Sequence, residues 1–122
     1  MKKTVLVVDD ATVVRKFARR ILEDLGFDVE EAQDGRVAAE FCGRGMPDAI
    51  LLDWNMPVMN GLDFLHELRR MEGGDQPVVL FCTTESELGR IEQAIGNGAN
   101  EYIMRPFDGD ILASKLAFVG LL

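Results

Sequence analysis

Three short aliphatic runs, Val5 to Val8, Ala49 to Leu52 and Val78 to Phe81, constrain this chain more than any other feature. None shows the in-out alternation of a strand with one wet face, and none is long enough for a stable helix. Each therefore predicts a strand buried on both faces. Segments with helical periodicity separate them. From Thr12 to Leu25, Val13, Val14, Phe17, Ala18, Ile21 and Leu22 form one predicted apolar face opposite Arg15, Lys16, Arg19, Arg20 and Glu23, and Gly26 supplies the stop.

A second helix, rich in alanine, opens at Asp34-Gly35 and ends near Gly43 and Gly45. A third is expected from Gly61 to Met71, with Leu62, Leu65 and Leu68 inward. A fourth is expected from about Ser86 to Asn97, with Leu88, Ile91 and Ile95 as its apolar stripe. The fifth starts near Asp108 and is expected to turn Ile111, Leu112, Leu116 and Val119 toward the core. Weaker strands at Asp28 to Ala32 and Glu101 to Met104 complete five alternations of strand and helix. That pattern predicts the α/β class, a doubly wound parallel sheet with helices on both faces.

A chain of 122 residues has room for one such domain, spanning residues 1–122, and no linker or repeat divides it. With 48% hydrophobic and 28% charged residues it matches ordinary globular proteins. Its net charge of -8 disfavours a partner such as the nucleic-acid backbone, which requires a basic stripe. The apolar run after Met1-Lys2-Lys3 stops at Asp9-Asp10, too soon for a signal peptide, and no other run approaches membrane-spanning length. Cys42 and Cys82 lack metal-ligand spacing and fit reduced core thiols. The expectation is a cytoplasmic protein.

In a doubly wound sheet the residues just past the strand ends converge at one edge. Asp9-Asp10, Asp53, Thr83-Thr84 and Arg105-Pro106 all occupy such positions. Crowded carboxylates raise one another's pKa and call for a divalent cation, and an oxygen-only donor set suits magnesium. A carboxylate can also act as a nucleophile and form an acyl phosphate. Thr83 and Arg105 would then stabilise charge on phosphoryl oxygens. The competing explanation is that Asp10 simply caps the following helix.

At these residues a family becomes recognisable. Val7-Val8-Asp9-Asp10, the block Asp53-Trp54-Asn55-Met56-Pro57, Gly61, Thr83 and Arg105-Pro106-Phe107 resemble the response-regulator receiver domain over essentially the whole chain, and the Asp53 block looks most like that of single-domain chemotaxis regulators. The resemblance implies a flavodoxin-like sheet of order 2-1-3-4-5 with its crevice between strands one and three. It implies magnesium bound by Asp10 and Asp53 directly, by Asp9 directly or through water, and by the backbone carbonyl of Asn55, with phosphorylation on Asp53. Thr83 and Tyr102 correspond to the family's switch pair, Asn55 and Glu85 to positions that tune hydrolysis, and a cis bond is implied before Pro106.

Receivers of this kind are not enzymes in the ordinary sense, transferring and losing a phosphoryl group at one aspartate. The implied partners are a histidine kinase or phosphotransfer protein as donor and a target protein. With the chain expected to end at helix five, the target would bind a monomer at the face of helix four, strand five and helix five, through Arg90, Tyr102, Met104 and Lys115. His66 is expected at the surface, and Met56 and Met59 to pack in the loop beside the site.

Two residues depart from the family pattern. Arg105 stands where lysine is usual, and a planar guanidinium is not interchangeable with a flexible ammonium. Thr84 stands where a smaller residue is common and would narrow access. These departures open an alternative, a pseudo-receiver that binds a protein or small ligand without phosphorylation. A dehalogenase-type phosphatase would need its two acids spaced two apart on strand one, and a flavin carrier would need a glycine- and hydroxyl-rich loop where Ala11-Thr12-Val13 stands.

Overall fold

The computed structural model describes residues 2–122. Its elements run β1 (Thr4–Val8), α1 (Thr12–Asp24), β2 (Asp28–Ala32), α2 (Gly35–Arg44), β3 (Ala49–Leu52), α3 (Gly61–Arg70), β4 (Val78–Thr83), a 3-10 helix (Glu85–Arg90), α4 (Ile91–Gly96), β5 (Glu101–Met104) and α5 (Gly109–Phe118). The five strands are parallel, in the order β2-β1-β3-β4-β5.

The continuous apolar runs have a direct structural cause. Leu6, Val8, Ile50, Leu52, Val79 and Phe81 point to one core, shared with Phe64, Leu65 and Leu68 of α3 and Ala38 and Cys42 of α2. Their neighbours Val5, Val7, Ala49, Leu51, Leu80 and Cys82 point to the other, shared with Ala18 and Leu22 of α1 and Leu112 and Leu116 of α5. With both faces covered, neither parity of a central strand can be polar. Both cysteines are buried free thiols.

Several predicted helix faces differ from those observed. On α1 the buried contacts are Ala18 and Leu22, while Val13 is 81% and Phe17 51% exposed. Phe17 instead rests against Phe107, ring centroids 6.1 Å apart. The predicted fourth helix divides: Glu85–Arg90 is 3-10 and only Ile91–Gly96 is α-helical. Glu87 Oε1 accepts from the Thr84 backbone N–H (3.3 Å) and hydroxyl (3.2 Å) at its start, and Ser86 and Gly89 are weak helix formers.

The predicted stripe of that segment is also displaced. Ala94 lies fully buried against the sheet, leaving Leu88 and Ile95 exposed and Ile91 half-buried. Ile111 of α5 is likewise 44% exposed, with Leu112 and Leu116 inward as expected. β4 runs two residues beyond its predicted end, to Thr83. Among the described residues no helix is long and apolar enough to cross a membrane.

Candidate functional site

The strand order reverses between β1 and β3, and the crevice at their carboxyl ends is where a doubly wound sheet can admit a ligand. Backbone pairing continues past both strands: the Asp9 N–H donates to Ala32 O (3.1 Å) and the Asp53 N–H to Val8 O (3.0 Å). Asp9 and Asp53 are thus fixed side by side, both nearly buried, with Asp10 exposed beside them. Oxygens of all three lie within 4.8 Å of one another.

The loop after β3 is seated by two glycines. The Gly61 N–H donates to Trp54 O (2.8 Å), and a Cβ at Gly61 would stand 1.9 Å from the Asp53 carbonyl oxygen. The Gly35 N–H donates to Met59 O (2.9 Å), where a Cβ would be 2.6 Å away. Only glycine allows these approaches. Met56 and Met59 pack against the core, as expected, and His66 is exposed.

The three carboxylates have distinct surroundings. Asp9 Oδ1 accepts from the Ala11 N–H (2.9 Å), and Oδ2 pairs with Arg105 Nη2 at 2.6 Å. Asp53 Oδ1 accepts from the Trp54 N–H (2.8 Å) and lies 3.3 Å from the same Nη2. Burial pushes the Asp53 carboxyl up to about 6; Arg105 opposes that shift, while Asp9 and Asp10 add to it. Asp10 does not cap α1. The N-cap there is Ala11, without any side-chain cap, so the helix-cap explanation for Asp10 fails.

An all-oxygen donor set fits a hard divalent cation. Ligands of magnesium stand about 2.1 Å from the ion, hence up to about 4.2 Å apart across an octahedron. The observed spread of 4.8 Å needs little closure to meet that span.

Arg105 follows β5, and its N–H donates to Thr83 O (2.7 Å). Its peptide bond to Pro106 is cis, as the resemblance implied. Thr83 is fully buried, and its hydroxyl donates to the Thr84 carbonyl (3.2 Å) rather than to any carboxylate. Tyr102 is half-buried on β5, with Lys115 Nζ 4.5 Å over its ring.

Three features escaped the sequence reading. Asn55 Nδ2 donates to Glu87 Oε2 (2.9 Å), joining the loop after β3 to the 3-10 helix. Arg90 lies 4.5 Å over the ring of Trp54, which is buried against Phe81 at 4.1 Å. The thiol of Cys82 is pushed up to about 12 by burial. None of the three had a signal in the sequence; the spacing of Thr84 and Glu87 marks only their capping pair.

The sequence profile of the response regulator receiver domain matches residues 5–117. This chain belongs to that family. The receiver is 38% identical over 113 residues to chemotaxis protein CheY-3 of Vibrio cholerae serotype O1, covering 92% of this chain and 87% of that one. It is 36% identical over 113 residues to chemotaxis protein CheY of Pseudomonas aeruginosa, covering 92% and 91%. The solved structure of the chemotaxis response regulator CheY4 of Vibrio cholerae superposes with a TM-score of 0.91 at 32% identity, covering 98% and 99%. The receiver is therefore of the CheY type, built for phosphorelay signalling.

Proposed function

We infer that this receiver accepts a phosphoryl group on Asp53 and signals by phosphorylation-dependent binding to a target protein, in chemotaxis or motility. The observation that carries the reading is the convergence of Asp9, Asp10 and Asp53 with Arg105 at the β1/β3 crevice. Asp53 Oδ2, facing away from the Trp54 and Arg105 contacts of Oδ1, is the attacking atom. Its bond to phosphorus forms as the bond from phosphorus to a histidine nitrogen of the donor breaks.

Asp10, Asp53 and the Asn55 carbonyl would hold magnesium, whose charge would offset that of the phosphoryl oxygens. Arg105 neutralises Asp9 and adds positive charge beside the incoming group. The buried Thr83 hydroxyl would leave the Thr84 carbonyl for a phosphoryl oxygen, and Tyr102 would repack in the space released, a population shift between two packings.

The donor is a histidine kinase or phosphotransfer protein. The target docks on α4, β5 and α5, where Leu88 and Ile95 are exposed near Tyr102 and Arg90, Met104 and Lys115 supply further contacts. A cytoplasmic monomer meets these needs. Asn55 and Glu85 set the lifetime of the mark, so Asn55→Lys or Glu85→Lys lengthens it, while Thr84 limits water entry.

The test is intact mass after incubation with acetyl phosphate and magnesium. A single phosphoryl adduct in wild type that needs magnesium and disappears in Asp53→Asn supports the reading. The grip of Arg105 on Asp9 and Asp53 favours a second one, the pseudo-receiver. No adduct in wild type, with one in Arg105→Lys, would select that alternative.

A further inference from the structure

The chain from Glu85 to Arg90 folds as a 3-10 helix of 6 residues that runs straight into α4. Runs of that length are uncommon, because 3-10 hydrogen bonds are poorly aligned and side chains three apart eclipse. The local sequence does not ask for one. Thr84 and Glu87 form a capping box that starts an α-helix equally well, and Leu88, Ile91 and Ile95 keep α-helical spacing across the boundary. Contacts from outside the segment must therefore hold the tighter form.

Those contacts come from the loop after β3. Glu87 Oε2 accepts from Asn55 Nδ2 (2.9 Å), and the Arg90 guanidinium stands 4.5 Å over the ring of Trp54. In a 3-10 helix side chains three residues apart face the same way, so Glu87 and Arg90 reach that loop together. In an α-helix the two would diverge by about 60°, and one contact would be given up. Asn55 and Trp54 directly follow Asp53; Thr84, whose N–H (3.3 Å) and hydroxyl (3.2 Å) donate to Glu87 Oε1, directly follows Thr83. The fastening thus joins the two loops that flank the Asp53 carboxylate.

We propose that Glu85–Arg90 is a clasp, closed by Glu87 on Asn55 and by Arg90 on Trp54, that restrains entry of a phosphoryl donor to Asp53 and opens by converting to α-helix continuous with α4. This rests on the reading of Asp53 as phosphoacceptor and deepens it. Glu87 is then a positioning residue that acts through Asn55.

Trp54 is the only tryptophan and is 1% exposed beneath the clasp, so acrylamide quenching of its fluorescence reads opening in the full chain, in a chelator and without any phosphoryl donor. Asn55→Asp sets a second carboxylate against Glu87 and opens the clasp. Adding Glu87→Gln restores a donor and an acceptor at unchanged net charge and closes it. Asn55→Asp should raise the quenching rate constant about tenfold, the scale of one hydrogen bond to a charged group. Helical ellipticity should rise with it, and the double variant should return both to wild type. Glu87→Ala, which leaves the loop after β3 untouched, opens the clasp likewise should Asn55→Asp fold poorly.

Quenching unchanged in every variant, or a double variant no closer to wild type than Asn55→Asp, would overturn the proposal. A loss of ellipticity on opening would overturn it too, because the segment would then unravel instead of joining α4. Acetyl phosphate with magnesium separates the clasp from the reading beneath it. Glu87→Ala should form the Asp53 adduct faster than wild type by the factor its quenching rises. Opening without faster uptake removes the proposal and leaves Asp53 as acceptor; no adduct in any chain removes the phosphoacceptor reading, and the proposal falls with it.

Discussion

Replacing Asp53 by asparagine should stabilise the metal-free protein at neutral pH and leave it unchanged in acid. The carboxyl is raised from 3.8 to about 6, first by burial and then by Asp9 and Asp10, with Arg105 and the Trp54 N–H as partial offsets. A carboxyl raised in the folded state binds its proton more tightly there than in the unfolded chain. Its contribution to stability is therefore fully present below about pH 3.8 and is lost as pH rises through about 6.

Raising the carboxyl from 3.8 to about 6 corresponds to ~3 kcal/mol at full ionisation. Asparagine retains an oxygen for the Trp54 N–H but weakens the contact with Arg105, which returns about 1 kcal/mol. The net gain expected for Asp53→Asn is ~2 kcal/mol, or about 1 M in urea midpoint for a domain of this size. Urea unfolding of both proteins in a chelator, from about pH 4 to about pH 8, measures it, since titrations common to both chains cancel. A gap that does not widen with pH, or wild type the more stable at the alkaline end, would refute the argument that Asp53 is held in an unfavourable charged state.

The carboxylate of Glu31 behaves in the opposite sense. Burial would raise it, but hydrogen bonds from Lys16, Arg19 and Arg15 outweigh burial and bring it from 4.5 to about 2. Glu31→Gln should cost about 1–2 kcal/mol near neutrality, after allowing for screening around the exposed Lys16, and the cost should fade as pH falls from about 4.5 through about 2; thermal unfolding across that range checks it. Val58 has φ 69 yet is 78% exposed, so its β-branched side chain is strained with little packing in return. Val58→Asn should stabilise by about 1 kcal/mol, since asparagine tolerates that backbone region, and an unchanged denaturation midpoint would show the loop conformation to be cost-free.

The three central strands were legible because burial on both faces leaves an aliphatic signature, whereas the order of the strands came from the family resemblance. Val5 to Val8 cannot serve two cores with any polar residue among them. Helix faces were less legible. An apolar side chain at helical spacing reads as core whether it meets the sheet or only skirts it, and the arc of α1 is wider than the sheet it covers. Ala18 and Leu22 meet the sheet; Val13 and Phe17 lie at the rim. The segment from Glu85 failed for another reason, because a capping pair at Thr84 and Glu87 followed by Gly89 starts a turn that sequence periodicity cannot distinguish from a full helix.

At the site, the topology made convergence readable while side-chain pairing stayed hidden. Strand ends must meet at one edge, so the approach of Asp9, Asp10, Asp53 and Arg105 follows from order alone. Which carboxylate Arg105 takes depends on tenths of an ångström: 2.6 Å to Asp9 against 3.3 Å to Asp53. A lysine offers one compact charge at that position, whereas the longer guanidinium reaches both acids from a single nitrogen. The same locality hides Thr83, whose hydroxyl lies at the expected edge yet turns to the Thr84 carbonyl. Spacing in sequence thus locates the charges, and only the folded geometry shows how Arg105 divides itself between Asp9 and Asp53.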